Sequence, residues 1–253
     1  MNNRHNNELR NEKISSLLFR MAVPAITAQI INLLYNLVDR MYIGHIDGVG
    51  ATALTAVGVT MPVIMVISAF AALVSMGGAP RASIMMGKGD KDSAEKIMGN
   101  CTTALVFISA VLTAAVLLFG ENMLMAFGAS ENTVGYALDY MNIYACGTIF
   151  VQIALGLNAF ITAQGFAKIS MITVLVGAVL NIVLDPIFIF GLDMGVKGAA
   201  LATIISQAVS VLWVLRFLTG NRTVLKIRKE NLKIDFKVLL PCLALGLSPF
   251  IMQ

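Results

Sequence analysis

Charge is scarce in this sequence. Asp, Glu, Lys and Arg make up 13% of the 253 residues, about half the ~25% usual in soluble domains. A chain of this length could form one or two soluble domains, but a soluble core needs a polar shell that this composition does not supply. Cysteine and histidine are scarce too. Cys101, Cys146 and Cys242 fall in or beside apolar runs, with no CxxC or Cys/His spacing. That excludes a disulfide framework or zinc site and leaves them as small apolar packing residues. His5 and His45 lie in separate flanks, so an imidazole-rich metal centre is excluded as well. Enzymatic signatures are missing: there is no HExxH, GxSxG or GxGxxG. The loop SIMMGKGD, Ser83–Asp90, is not a phosphate loop, because Ala82 stands where the first glycine belongs and Gly89 where a magnesium-binding hydroxyl belongs. Neither an enzyme nor an ATPase is expected, and no cofactor.

What is there is apolar. Hydrophobic residues reach 58% and the mean hydropathy is +0.82. A spanning helix needs about 20 mostly apolar residues. Six runs meet that measure: about Leu17–Val38, Ala53–Pro80, Met98–Phe119, Ala137–Ala163, Ile169–Gly191 and Gly198–Leu218, with a seventh starting near Val238 and cut off at Gln253. The expected fold is all-α, a polytopic six-helix membrane bundle plus the start of a seventh helix. Its expected divisions are a six-helix lobe over 1–218, a basic connector over 219–237 and the beginning of a second lobe over 238–253. Met1–Ser16 is polar and the first apolar run is too long for a signal peptide's core, so no cleaved leader is expected.

The basic residues set the expected orientation. Sixteen of the eighteen Lys and Arg lie before or at the start of the first run, between the second and third, between the fourth and fifth, or at the end of and after the sixth; only Arg40 and Lys197 lie on the other side. The positive-inside rule then puts the amino terminus in the cytoplasm of a cell bounded by this inner membrane. The net charge of +4 is a topology signal and not a nucleic-acid footprint. The stretch Thr219–Lys237 alternates basic and apolar residues; an amphipathic helix on anionic lipid and a solvated connector both fit. A weak internal repeat, Pro24 with Gln29 against Pro249 with Gln253, suits a transporter made of two parallel copies.

Intramembrane polar residues mark the candidate site, because an Asp at a helix centre costs about 2.5–3.5 kcal/mol even on the lenient insertion scale. Asp39 and Asp185 do not clearly escape that cost. Asn181 precedes Asp185 by four residues, on the same helix face, and Pro186 leaves the carbonyl of Ile182 without its helical donor. Such an oxygen-rich spot suits a hard cation or a proton, though a packing hydrogen bond with a structural kink is the plainer alternative. Gln29, Asn32, Asn36 and Asp39 recur at three, four and three residues, one face of a helix, and imply a wet or protein-facing track; Asp39 beside Arg40 could equally mark a membrane exit. Asn158 with Thr162, and Thr203 with Ala199, read more weakly, since small and hydroxyl residues are common at membrane helix contacts.

Three segments together carry a family resemblance: P-x4-Q-x9-D-x3-IG from Pro24 through Gln29 and Asp39 to Ile43 and Gly44; GKGDKDSAEKIMG from Gly87 to Gly99; and N-x3-DP at Asn181–Pro186 followed by GVKGAALAT from Gly195 to Thr203. The chain resembles the multidrug and toxic compound extrusion (MATE) family, whose members have twelve helices in two six-helix lobes. The resemblance implies export of amphipathic, often cationic compounds in exchange for Na⁺ or H⁺. It implies a cation site similar to Asp39, Asn181, Asp185, Ala199 and Thr203, with Asn158 nearby. Sodium, if it is the coupling ion, would be held by Asp39, Asn181, Asp185 and Thr203. Gln29, Asn32, Asn36 and Asn158 would line the substrate or proton path, with Pro24 and Pro186 as helix hinges. It implies as partners the lipid bilayer, a small amphipathic or cationic substrate and the second, carboxy-terminal six-helix lobe that this chain lacks. The closest rival is a flippase of lipid-linked precursors or polysaccharides with a related fold. Such a cavity is usually basic, however, and the intramembrane charges here are acidic.

Overall fold

The computed structural model of the chain describes residues 14–252, and every regular element among them is helical. The basic residues Arg4, Arg10 and Lys13 and the repeat's Gln253 lie outside the described residues. The helices are α1 (Ile14–Gly44), α2 (Gly50–Gly87), α3 (Lys91–Ala126), α4 (Glu131–Cys146), α5 (Thr148–Ala163), α6 (Ala167–Pro186), α7 (Gly195–Thr219) and α8 (Phe236–Ile251). A π-helical turn, Ile187–Gly191, continues α6 past its proline.

Five of these helices are long and apolar enough to cross a membrane, and α4 with α5 pass the same test only together, as a bent pair that brings the count to six if it is one span. The fourth apolar run, expected as one helix over Ala137–Ala163, is therefore corrected to two helices bent by 57°. The bend falls at Gly147. A β-carbon there would sit 1.7 Å from Ile204 Cδ1, so the missing side chain is what lets α7 press into the corner. Boundaries also move outward. The second and third runs become helices of 38 and 36 residues, about 57 and 54 Å at 1.5 Å per residue, so both extend well past a ~30 Å hydrocarbon core. Asp90 caps α3 by accepting from Ser93 N at 3.0 Å, and the Ser93 side chain, followed by that amide, holds its exposed carboxyl below the usual carboxylate range.

The packing is tight at the centre and loose at α1. α2 touches α3, α4, α5 and α8; α7 touches α4, α5 and α6; α1 packs chiefly along α6. Two apolar cores fill the bundle. One gathers Ile43, Val57, Met141, Ala199 and Ile189, and the other Val74, Met98, Leu105, Phe160 and Leu218. Cys101 and Cys242 are buried in the second core, whereas Cys146 is exposed. Where α2 meets α8 the helices nearly touch backbone to backbone: a β-carbon on Gly77 would lie 1.8 Å from Cys242 O, and one on Gly246 1.8 Å from Leu73 O.

The segment after α7 forms no amphipathic helix. A single 3-10 turn, Lys229–Leu232, is its only helical element. Its backbone is instead held by side chains of the bundle. Gln164 Oε1 accepts from Thr223 Oγ1 and from the amides of Val224 and Leu225 at 2.8–2.9 Å, and Glu95 Oε1 accepts from Lys226 N at 3.1 Å. These hydrogen bonds draw the alternating segment flat against the bundle. A helix would have satisfied its amides internally and lost them.

Candidate functional site

The polar stripe of α1 faces α6, and the two helices bring the aspartates together. Asp185 is fully buried and Asp39 is 8% exposed, with their carboxyl groups facing each other. Asn181 Nδ2 donates to Asp185 Oδ1 at 3.0 Å and to Thr203 Oγ1 at 3.3 Å, which ties α6 to α7. Ala199 lies one turn before Thr203, buried, with only main-chain oxygen to offer. Of the sequence-predicted set, Asp39, Asn181, Asp185 and Thr203 therefore converge on one place.

What stands out is the surplus of acceptors. Asp39 Oδ1, Asp185 Oδ2 and Asn181 Oδ1 are all buried without a hydrogen-bond partner. Ionised carboxylates only accept, so two that face each other cannot satisfy one another. Burying such groups unpaired is strongly unfavourable. A proton or a hard cation is the chemical answer to three inward oxygens with no donor. Pro186 ends the α-helical part of α6 immediately after Asp185, and the π turn follows, so the backbone beside the carboxylate is already irregular. Pro24 is buried inside α1, about four turns from Asp39.

A cavity of about 450 Å³ opens beside this cluster. Gln29, Asn32 and Asn36 of α1 line it from one side, Asn158 of α5 and Asn181 of α6 from another. Exposure falls along the α1 stripe, from exposed Gln29 through half-buried Asn32 and Asn36 to buried Asp39, so the stripe leads inward to the carboxylate. Asn36 Nδ2 bonds back to Asn32 O at 2.7 Å. Asn158 is in the cavity but not in the carboxylate cluster: its Nδ2 donates to Ser170 O at 3.3 Å and its Oδ1 is unpartnered.

Two further groups belong to the site and are absent from the sequence-predicted set. Tyr35 and Tyr140 wall the cluster, and Tyr144, which lines the cavity, stacks on Tyr140 at 6.1 Å between centroids. Ser206, Gln207 and Ser210 of α7 line the same cavity as Thr203. Their positions, 203, 206, 207 and 210, repeat the three-and-four spacing of the α1 stripe, so that signal was present in the sequence. The tyrosines leave no such signal, because an aromatic on an apolar helix is ordinary core.

The MatE family model matches residues 24–187 of this chain. Multidrug export protein MepA of Staphylococcus haemolyticus (strain JCSC1435) is 27% identical over 239 residues, covering 94% of this chain and 52% of that protein. MepA of Staphylococcus aureus (strain MRSA252) is 24% identical over 236 residues, with 93% and 52% covered. Among solved structures, a MOP superfamily transporter from Pyrococcus furiosus Vc1 (DSM3638) superposes with a TM-score of 0.88 at 27% identity, covering 96% of this chain and 54% of that one. A MATE structure in a bent conformation does so with a TM-score of 0.88 at 28% identity, over 96% and 54%. The chain spans about half the length of the curated relatives it matches.

Proposed function

From the premise that this chain belongs to the MatE family of membrane transporters, we propose that it forms one lobe of a cation-coupled antiporter that exports amphipathic, often cationic compounds. The observation that carries the reading is the trio of buried, unpartnered oxygens on Asp39, Asp185 and Asn181. Sites built to be filled differ from structural polar clusters in this respect, since a structural cluster normally satisfies itself.

The proposed cycle needs only these residues. With both carboxyls ionised, two like charges face each other in a low-dielectric setting. Entry of Na⁺, or addition of a proton, cancels that repulsion and gives Asp39, Asp185, Asn181 and Thr203 a common partner. The cation is a transported species here and not a resident cofactor. Neutralisation changes the relative energy of two arrangements of α1 against α6, and Pro24 and the Pro186–π-turn region are where either helix bends most readily. A ligand shifts such an equilibrium only through its different affinity for the two states. The cavity lined by Gln29, Asn32, Asn36 and Asn158 is the proposed path for substrate or proton. A second six-helix lobe would complete the cleft, and the amino terminus would face the cytoplasm, as the placement of the basic residues requires. The acidic cluster disfavours the flippase alternative, which needs basic groups for phosphate head groups.

The test is efflux of ethidium from cells expressing the full-length parent, under imposed Na⁺ or proton gradients. Asp39→Asn and Asp185→Asn are each expected to abolish efflux, and the gradient that drives the wild type names the ion. Normal efflux by both variants overturns the reading.

A further inference from the structure

A second cavity lies on the bundle's outer surface, where α6 begins and α7 ends. Its volume is about 750 Å³, and nothing in the proposed transport path uses it. Ile169 and Ile172 of α6 form one wall, Trp213 and Phe217 of α7 the other, and Arg216 and Arg222 close the end. No acidic residue lines it. Both arginines are exposed, and among the described residues neither makes a hydrogen bond or an ion pair. The contrast with nearby Arg228, 2.8 Å from Glu95 Oε2, is direct: this end of the bundle has a carboxylate, and it is used elsewhere.

We propose that this groove binds an anionic phospholipid, with its phosphodiester between Arg216 and Arg222 and an acyl chain along Trp213 and Phe217. Guanidinium groups match phosphate oxygens in planar, bidentate fashion. The apolar walls run from the arginines toward the hydrocarbon zone, and a half-exposed tryptophan at a helix end is placed where membrane interfaces favour that side chain. The chain's own continuation leaves elsewhere, since α8 packs along α2 and α3. Which leaflet supplies the lipid rests on the orientation proposed above; the groove and its charges do not.

Trp213 is the only tryptophan in the chain, so its fluorescence reads this site directly. The chain is reconstituted in phosphatidylcholine vesicles at about 0.15 M salt, where exposed charges are screened beyond ~8 Å. It is then titrated with a few per cent of lipid carrying brominated acyl chains, which quench on contact. Each basic residue near an anionic surface is worth roughly fivefold in affinity. With two arginines, brominated phosphatidylglycerol is therefore expected to half-quench at roughly a twenty-five-fold lower mole fraction than brominated phosphatidylcholine. Trp213→Phe should remove the signal. Arg216→Gln with Arg222→Gln should remove the preference while helicity by circular dichroism stays unchanged, and Lys229→Gln with Lys233→Gln should keep it. Equal quenching by both lipids overturns the proposal, as does loss of preference in the lysine pair, which would mean a diffuse charge effect. No quenching by either lipid also overturns it, since another protein segment then covers the groove. Removal of the preference by millimolar glycerol phosphate would assign the arginines to a soluble phosphate instead. None of these readouts depends on transport, so failure here leaves the antiport reading standing and the reverse holds too.

Discussion

Two buried carboxylate regions sit at different depths in this bundle and are built in opposite ways. Glu95, 1% exposed, has Lys91 Nζ at 3.5 Å, Arg228 Nε at 2.8 Å and the Lys226 amide at 3.1 Å. Asp185, fully buried, has one donor, Asn181, and faces a second carboxylate. Burial is the same; satisfaction is not. Glu95 clamps the segment after α7 to the bundle, with an amide and a lysine against Oε1 and an arginine paired with Oε2, although Oε2 accepts no hydrogen bond of its own. The Asp39–Asp185 pair is left with acceptors to spare, in a place where leaving them so is expensive. The difference separates a carboxylate that holds a chain segment from a pair with buried oxygens that no protein donor reaches.

The sharpest way to break that comparison is substitution with opposite signs expected. Asp185→Asn in the full-length parent should cut efflux at least about tenfold, the size of one charge-assisted contact at ~1.5–3 kcal/mol. Its thermal stability in detergent should hold or rise, because a buried unpaired charge has been removed. A variant that loses stability along with efflux would make Asp185 structural. Gln164→Ala comes next. It strands the buried amides of Val224 and Leu225, so destabilisation of roughly 2–5 kcal/mol is expected from two unpaired donors, read as a lowered melting temperature and faster proteolysis within 219–237. Glu95→Gln should be milder, roughly 1–3 kcal/mol, because Lys91 and Arg228 are about half exposed and can rehydrate; the efflux of each folded molecule should be retained. If Glu95→Gln instead stops efflux without unfolding, the clamp takes part in the cycle.

The smallest effect concerns Asp235, which caps α8 and stands 2.6 Å from Lys96 Nζ. That contact, with the Lys237 amide, holds its partly exposed carboxyl below the usual carboxylate range. A depressed folded value means a stabilising contribution present above the unfolded value of about 3.9 and lost as pH falls through the folded one. Asp235→Asn should therefore differ from wild type only slightly at neutral pH, and the gap should close on acidification below about pH 4. A thermal-denaturation series from about pH 3 to pH 7 checks the sign; a gap that widens in acid contradicts it.

The motif GKGDKDSAEKIMG shows how a family signature can be legible without its purpose being so. In the structure its residues are architectural. Asp90 caps α3, Glu95 grips the connector, and Gly99 lies where a β-carbon would meet Asn231 O at 2.4 Å. Nothing local in the sequence says that Glu95 is buried, because its partners Lys226 and Arg228 come more than 130 residues later. The α1 stripe is readable because helical spacing alone puts its members on one face. The tyrosine wall is not, since an aromatic facing a carboxylate and one facing a leucine look alike in sequence.

Apolar runs, their number and the cost of charge in hydrocarbon are enough by themselves to determine the class of this protein, its spans and its two costly aspartates. Those are one-dimensional consequences of a bilayer's thickness and dielectric, so a linear chain of residues carries them. Tertiary structure alone decided that Asp39 and Asp185 face each other across 146 residues of chain, that the fourth span bends at Gly147, and that the basic segment lies flat instead of coiling into a helix. Each of these depends on which helix packs beside which. Packing partners are chosen by the shape of whole faces, which no window along the chain contains.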